Sequence, residues 1–196
     1  MKISSLTAFA LCAALVACGD KDSTGSASSS GLSGTFVSGC IVTDSASYKV
    51  VEVFTATTVS GTANYYSDKS CTSGQEILLA RRTGNVTVGG AATTPAGATK
   101  LDLSNMRFYL TPKSDQTVTS LNGNSRYGKT DWVKNREKEV TGLADRGTTE
   151  PTTQYDIFMF TGDTLCSGDD DDTYDGTSDA KRPQVLETGT KCYTKQ

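Results

Sequence analysis

Apolar positions along the chain follow three regimes in turn. From Leu6 to Val16 they form one short run broken by Thr7, well under the roughly 20 residues that a membrane-spanning helix needs. From Gly19 to Gly31 nothing apolar is larger than alanine, so this stretch cannot offset its own ordering entropy and reads as a flexible tether. From Leu32 onward apolar residues recur at alternate positions in short segments rich in Thr, Val and Tyr, while long stretches with helical spacing are missing. The segments that read as strands are 34–43, 48–59, 62–67, 76–82, 85–88, 100–110, 116–121, 127–133, 154–161 and 184–193. Turn signals at Ser60-Gly61, Gly89-Gly90, Pro95-Ala96-Gly97 and Asn122-Gly123-Asn124 separate them.

Eight to ten short strands at this spacing predict an all-β fold, an antiparallel barrel or sandwich. Several strands are apolar on both faces: Tyr48, Val50 and Phe54 alternate with Val51 and Val53, and Ile157 and Met159 with Phe158 and Phe160. That pattern predicts burial on both sides. In 131–142, Trp132, Val133, Arg136 and Val140 share one face of a helix, but Thr141-Gly142 and the charge density read equally well as an extended hairpin.

Composition removes several function classes. A chain of 196 residues with 36% hydrophobic residues and a net charge of -3 fits one globular domain, not a multi-span membrane protein or a strongly basic nucleic-acid binder. Histidine is absent, which takes away the commonest general base near neutrality, every Ser/His/Asp or Cys/His relay and the commonest transition-metal ligand. No residue is assigned a catalytic role, and no cofactor is expected. The small net charge conceals a polarised chain, because between Gly147 and Ala180 there are nine acidic residues and no Lys or Arg. Such a field orients a protein on an anionic surface or steers a basic partner, although a charge run is more often a solvated face.

The apolar run ends in Leu15-Val16-Ala17-Cys18, preceded by the single charge of Lys2. This tetrapeptide resembles the lipobox of bacterial lipoproteins, in which the cysteine sulfur receives a diacylglycerol. The resemblance implies a signal peptide over 1–17, a lipidated Cys18 with its linker over 18–31, and a folded domain over 32–196. Two or three acyl chains make such an anchor effectively permanent, whereas one holds marginally. Gly19 follows in place of the aspartate that resembles an inner-membrane retention signal, which points to the outer membrane.

Cys12 leaves with the signal, and Cys40, Cys71, Cys166 and Cys192 remain in the domain. An even number in an exported chain implies disulfides. Four cysteines allow three pairings; Cys40 with Cys71 and Cys166 with Cys192 is preferred, since each pair brackets one run of strand-like sequence. A four-thiolate zinc site would need close CxxC pairs, which this chain does not have.

Two ends of the domain carry short recognisable motifs. At one end Gly34-Thr35-Phe36-Val37-Ser38-Gly39-Cys40 precedes an aromatic strand ending at Phe54, then Tyr65-Tyr66-Ser67-Asp68-Lys69-Ser70-Cys71 and Arg81-Arg82-Thr83-Gly84-Asn85. At the other are Gly162-Asp163-Thr164-Leu165-Cys166-Ser167-Gly168 and Arg182-Pro183-Gln184-Val185-Leu186. This order resembles a group of small lipocalin-like bacterial lipoproteins and the extracellular barrel-like domain named for down-regulation by adenomatosis polyposis coli. The motifs cover about half of the domain and depart from that pattern at Cys166, where an aromatic is expected. The resemblance implies an up-and-down barrel whose interior holds an apolar or amphipathic ligand.

Candidate sites are few. Counting from Asp171, acidic residues Asp171, Asp175 and Asp179 fall at relative positions 1, 5 and 9 with Gly176 at 6, a partial match to a calcium loop. The match breaks at Thr173 and at Arg182, where a bidentate glutamate belongs. A solvated acidic hairpin tip is the favoured reading of 169–179. Trp132 and Tyr127 are the aromatic candidates for stacking on a ligand, against a plain core role. Arg81-Arg82 reads as an exposed pair at a strand end that an anionic head group would suit. Ser60-Gly61-Thr62-Ala63-Asn64-Tyr65 faintly resembles the inhibitory loop of small periplasmic lysozyme inhibitors, with the spacing off by one residue.

The expectation is therefore a non-enzymatic, lipid-anchored envelope protein. Its partners would be the membrane, through the N-terminal lipid, and a small apolar ligand in the barrel, with no nucleic acid. The alternative is a protein-interaction module, an envelope enzyme inhibitor or adhesion factor, acting through its loops.

Overall fold

The computed structural model describes residues 31–196; the lipobox cysteine Cys18, the segment before it and the tether lie outside the described residues. Among the described residues twelve strands form: β1 (Gly34–Ser38), β2 (Ile41–Val42), β3 (Ser47–Phe54), β4 (Thr58–Tyr66), β5 (Glu76–Ala91), β6 (Thr99–Pro112), β7 (Lys138–Glu139), β8 (Ala144–Asp145), β9 (Thr148–Thr149), β10 (Gln154–Thr161), β11 (Thr164–Ser167) and β12 (Tyr193–Lys195). Eight of them, β1, β3, β4, β5, β6, β10, β11 and β12, each pair antiparallel with the next, and β12 returns to β1. The result is a closed up-and-down barrel with no free edge along the ring. Eight strands enclose an interior just wide enough for packed side chains or for one small ligand.

Alternation decides what faces inward. In β3 the residues Tyr48, Val50, Glu52 and Phe54 are buried. Val53 between them is 40% exposed, so this strand has one wet face and not the two buried faces its sequence predicts. β10 is covered on both faces in its middle: Phe158 points into the core and Ile157 on the other side is fully buried as well. Arg182 and Pro183, both buried, lie over this region, with Arg182 donating to the carbonyls of Leu101 and Asp156.

In β6 the phase changes once. Leu101 and Leu103 are buried, and so are Met106 and Leu110. Asn105, with φ 51°, sits in the left-handed region between them, where the β5–β6 register shifts. A bulge of this kind inserts one residue and keeps both apolar sets on the same side.

Two core clusters divide the interior. One gathers Phe36, Phe54, Leu101, Leu103, Phe158 and Leu165 with their neighbours. The other gathers Leu78, Leu110, Leu121, Tyr127, Trp132 and Val140. The second forms where α1 (Asp115–Gly123) docks near the ends of β5 and β6, capped by Ser114, whose side chain accepts from Thr117 N. Disulfides join Cys40 to Cys71 and Cys166 to Cys192, matching the preferred pairing. Residues 31–196 thus close the barrel and contain both clusters and both bridges, so they form a folding unit by themselves.

Several element readings need correction. The helix spans a segment that reads as strand 116–121, and 127–133 is a 3-10 turn at Arg126–Gly128 followed by irregular chain. In 131–142 neither a helix nor an extended hairpin forms: only β7 is regular, and Asn135 and Gly142 have positive φ. The segment pairs with β6 through β7 and is held on its outer side by forked ion pairs, Arg81 to Glu137 and Arg107 to Glu139. Ser60-Gly61 is not a turn but the middle of β4, 76–82 and 85–88 are one strand, and most of 184–193 is not strand.

Candidate functional site

Between the two clusters lies a cavity of about 480 Å³, within the range of about 300–1,000 Å³ common for small-molecule sites. Its apolar wall includes Val50, Ala63, Tyr65, Ala80, Phe108 and Tyr127. The Tyr48 and Tyr65 rings stack with centroids 5.3 Å apart. One side of the barrel is low here, because β10 pairs only with Thr99–Leu103 of the longer β6. The loops carrying Glu150 and Asp170 to Asp172 line the cavity alongside.

The floor is charged. Cross-strand register places Glu52 opposite Gly61 and Gly61 opposite Arg82, so the acid and the base meet across a residue without a side chain. Arg82 donates to Glu52 Oε1 from Nε at 3.0 Å and approaches it with Nη2 at 2.8 Å. A Cβ at Gly61 would collide with Glu52 Oε2, which is why glycine occupies the middle of a strand. Glu52 is 4% exposed, and its Oε2 is buried without a hydrogen-bond partner. Asp156 stands beside this pair, its Oδ1 accepting from Ile157 N at 2.7 Å and Gly168 N at 3.0 Å. Glu52, Arg82, Asp156 and Tyr193 also line a smaller void of about 40 Å³ among Phe54, Leu101 and Phe158. The charged group is therefore a partition between a filled half of the barrel and an open one.

Burial and crowding set the acidities. Asp156 is pushed up to about 6 by burial, against its backbone hydrogen bonds and Arg82. Asp170 is pushed up to about 7, first by burial and then by the carboxylates of Asp156, Asp169 and Asp175. Its Oδ1 is buried without a partner, while Oδ2 takes a long hydrogen bond from Gln154. Burial also raises Glu150, and it moves Tyr48 and Tyr127 up to about 12.

The structure sorts the candidates named from sequence. Tyr127 lines the cavity. Trp132 does not; it is 2% exposed in the core beneath α1, its backbone held by the Asn122 side chain, with its ring edge-on to Tyr127. Asp171, Asp175 and Asp179 do not converge. Asp171 accepts from the amides of Thr173 and Tyr174, Asp175 from Thr177 and Lys181, and Asp179 from Lys100 and Arg182. Among the described residues no three acidic or thiol groups are placed to hold a metal ion. The acidic segment is also not simply a solvated tip, because Asp170 turns into the cavity and Arg182 pins the segment to Asp102. Arg81 and Arg82 lie in mid-strand: Arg81 stacks outside on Tyr109 at 3.8 Å, and Arg82 is the base inside. The 60–65 segment belongs to β4 and offers no protruding loop.

Nothing in the sequence reading marks Glu52, Asp156 or Glu150, and it takes Arg82 and Asp170 for exposed groups instead of cavity residues. For three of them a signal existed: Glu52 lies in phase with Tyr48, Val50 and Phe54, Arg82 with Ala80, and Asp156 with Phe158 and Phe160. A charge on the inward phase of a strand is a charge in the interior.

No protein-family model matches the chain, and no curated protein matches it. Among the described residues no helix is long and apolar enough to cross a membrane.

Proposed function

We propose that the chain is a non-enzymatic, lipid-anchored envelope protein, attached through Cys18 to a bacterial outer membrane, whose barrel binds a small molecule with an apolar body. The observation that carries the binding half is the cavity of about 480 Å³ walled by Tyr48, Tyr65, Phe108 and Tyr127. The lipobox-like Leu15-Val16-Ala17-Cys18 supports the anchor, and two disulfides suit an exported chain. The closed meander is the architecture that a relationship to lipocalin-like lipoproteins implies, while function rests on the cavity and not on the fold.

Two measurements test this. The full-length chain made in a bacterial host with an alkyne-tagged palmitate should carry the tag, and Cys18→Ser should lose it; an unlabelled chain would remove the anchor. Residues 31–196, made in an oxidising compartment, should bind the neutral amphiphile decanol by calorimetry, and Ala63→Trp, which fills the cavity wall, should abolish this without unfolding the barrel. Binding that survives Ala63→Trp would place the ligand elsewhere and favour an interaction module acting through loops.

A further inference from the structure

The lining of the cavity is unbalanced in charge. It includes seven carboxylate side chains, from Glu52 and Asp156 at the floor to Asp170, Asp171 and Asp172 along the side, against two guanidinium groups. Both guanidiniums are already engaged, Arg82 by Glu52 and Arg81 by Glu137 on the outside. Inside the site two carboxylate oxygens, Glu52 Oε2 and Asp170 Oδ1, are buried with no hydrogen-bond donor. A buried acceptor without a donor is costly, and a charged one more so. The wall opposite offers the faces of Tyr48, Tyr65, Phe108 and Tyr127, which attract a cation as well as an apolar chain.

We infer that the cavity takes an organic cation with an apolar body, a lipophilic amine, its ammonium group lodged among Glu52, Asp156 and Asp170. The inference rests on the reading of the barrel as a small-ligand binder and sharpens it. An ammonium group supplies the donors that Glu52 Oε2 and Asp170 Oδ1 lack and the positive charge that the lining lacks. The alkyl or aryl body replaces water against the tyrosines. A fatty acid would bring its own carboxylate into the same place and be repelled. Asp170 is faced by Asp156, Asp169 and Asp175, with Arg82 the opposing charge acting on it. Asp156 is faced by Arg82 and Arg182. As these two acids take up protons, the site loses its hold on a cation.

Calorimetry on residues 31–196 with decylamine, decanol and decanoate at about pH 8, where the amine is charged, decides the matter. Decylamine should bind at least about ten-fold tighter than decanol, one charge-assisted contact being enough for that factor, and decanoate more weakly than either. Asp170→Asn should cut the amine-to-alcohol ratio several-fold. Asp170 is not ion-paired among the described residues, so this variant should fold even if Glu52→Gln does not. Lowering the pH to about 5 should reduce the ratio in the same direction, because Asp156 and Asp170 protonate at about 6 and 7. Equal binding of amine and alcohol, or tightest binding of decanoate, would overturn the cation inference and leave the cavity reading standing. Binding of none of the three would overturn both.

Discussion

Substituting Gly61→Ala adds one methyl group to β4 and sets two effects of opposite sign against each other. Gly61 is not in the left-handed region, so alanine can adopt its backbone. In open space the change would stabilise by about 0.4–1 kcal/mol, through the lost freedom of the unfolded chain. Here the new Cβ falls on Glu52 Oε2. If the strands yield, overpacking costs about 1–3 kcal/mol. If the carboxylate swings away instead, Arg82 loses its partner, and breaking a buried pair costs up to about 3–5 kcal/mol. The balance is a loss of up to about 2.5 kcal/mol. For a domain of this size that lowers Tm by up to about 5–10 °C. Thermal unfolding of residues 31–196 with both disulfides intact, followed by far-UV circular dichroism, measures it. Gly90→Ala is the matched control, since Gly90 also lies in a strand without positive φ and a Cβ there meets nothing within 4 Å; it should be neutral or slightly stabilising. A Gly61→Ala barrel as stable as the control would show that Glu52 is not held where the cavity floor requires it.

Removing either disulfide as a Cys→Ser pair closes one loop fewer, of 31 residues for Cys40 to Cys71 or 26 for Cys166 to Cys192. The chain-entropy relation gives a loss of about 3.5 kcal/mol for each, readable by urea titration; less than about 1 kcal/mol for either pair would contradict it. Arg126 and Asp145 form a buried ion pair, so Arg126→Ala should cost about 3–5 kcal/mol, and replacing both by Met and Leu should cost less than the single change. If the double variant loses more than the single, the pair is a net stabiliser after all. Stability should also respond to pH with an uncommon sign. Asp156 and Asp170 have folded values of about 6 and 7 against an ordinary 3.8, so between about pH 4 and 7 the folded state binds more protons than the unfolded one, and stability falls as pH rises through that window. Asp175, held down at about 2 by Thr177 and Lys181, acts only below it. Asp170→Asn should therefore be more stable than the parent at about pH 8 and lose that advantage at about pH 5; an equal Tm difference at both would refute the raised acidity of Asp170.

What the sequence made legible was whatever depends on period two. The strand period itself is visible without any tertiary context, and so are two cysteine pairs that each bracket a run of strands, although Val51 and Val53 are as apolar as Tyr48, Val50 and Phe54 and leave the inward phase of β3 to its packing. What it hid depends on a partner strand. Ser60-Gly61 looks like a turn because glycine usually marks one, but here glycine makes room for a carboxylate from the neighbouring strand. The phase change in β6 looks like the end of a pattern and is a bulge at Asn105. The helix at Asp115–Gly123 reads as a strand because of its Thr and Val, although Ser114 followed by Asp115 is a helix-start signal that local reading could have used. Trp132 has the same aromatic chemistry as Tyr127 but sits one layer behind it, a distinction that only packing makes.

The position of the charged residues argues for their purpose. An eight-stranded barrel can fill its interior with apolar side chains, and the half around Phe36, Phe54 and Phe158 does so. Burying Glu52, Arg82 and Asp156 in the middle gains little for stability, because the desolvation of each charge consumes most of the attraction between them. If the group existed to hold the barrel together, its charges would balance and its oxygens would be satisfied. Instead it has two carboxylates to one guanidinium, leaves Glu52 Oε2 without a donor, and lies where the packed half ends and the cavity begins. An incomplete polar group at the floor of an aromatic-walled cavity is completed by what enters the cavity, and the sign of the missing charge is positive.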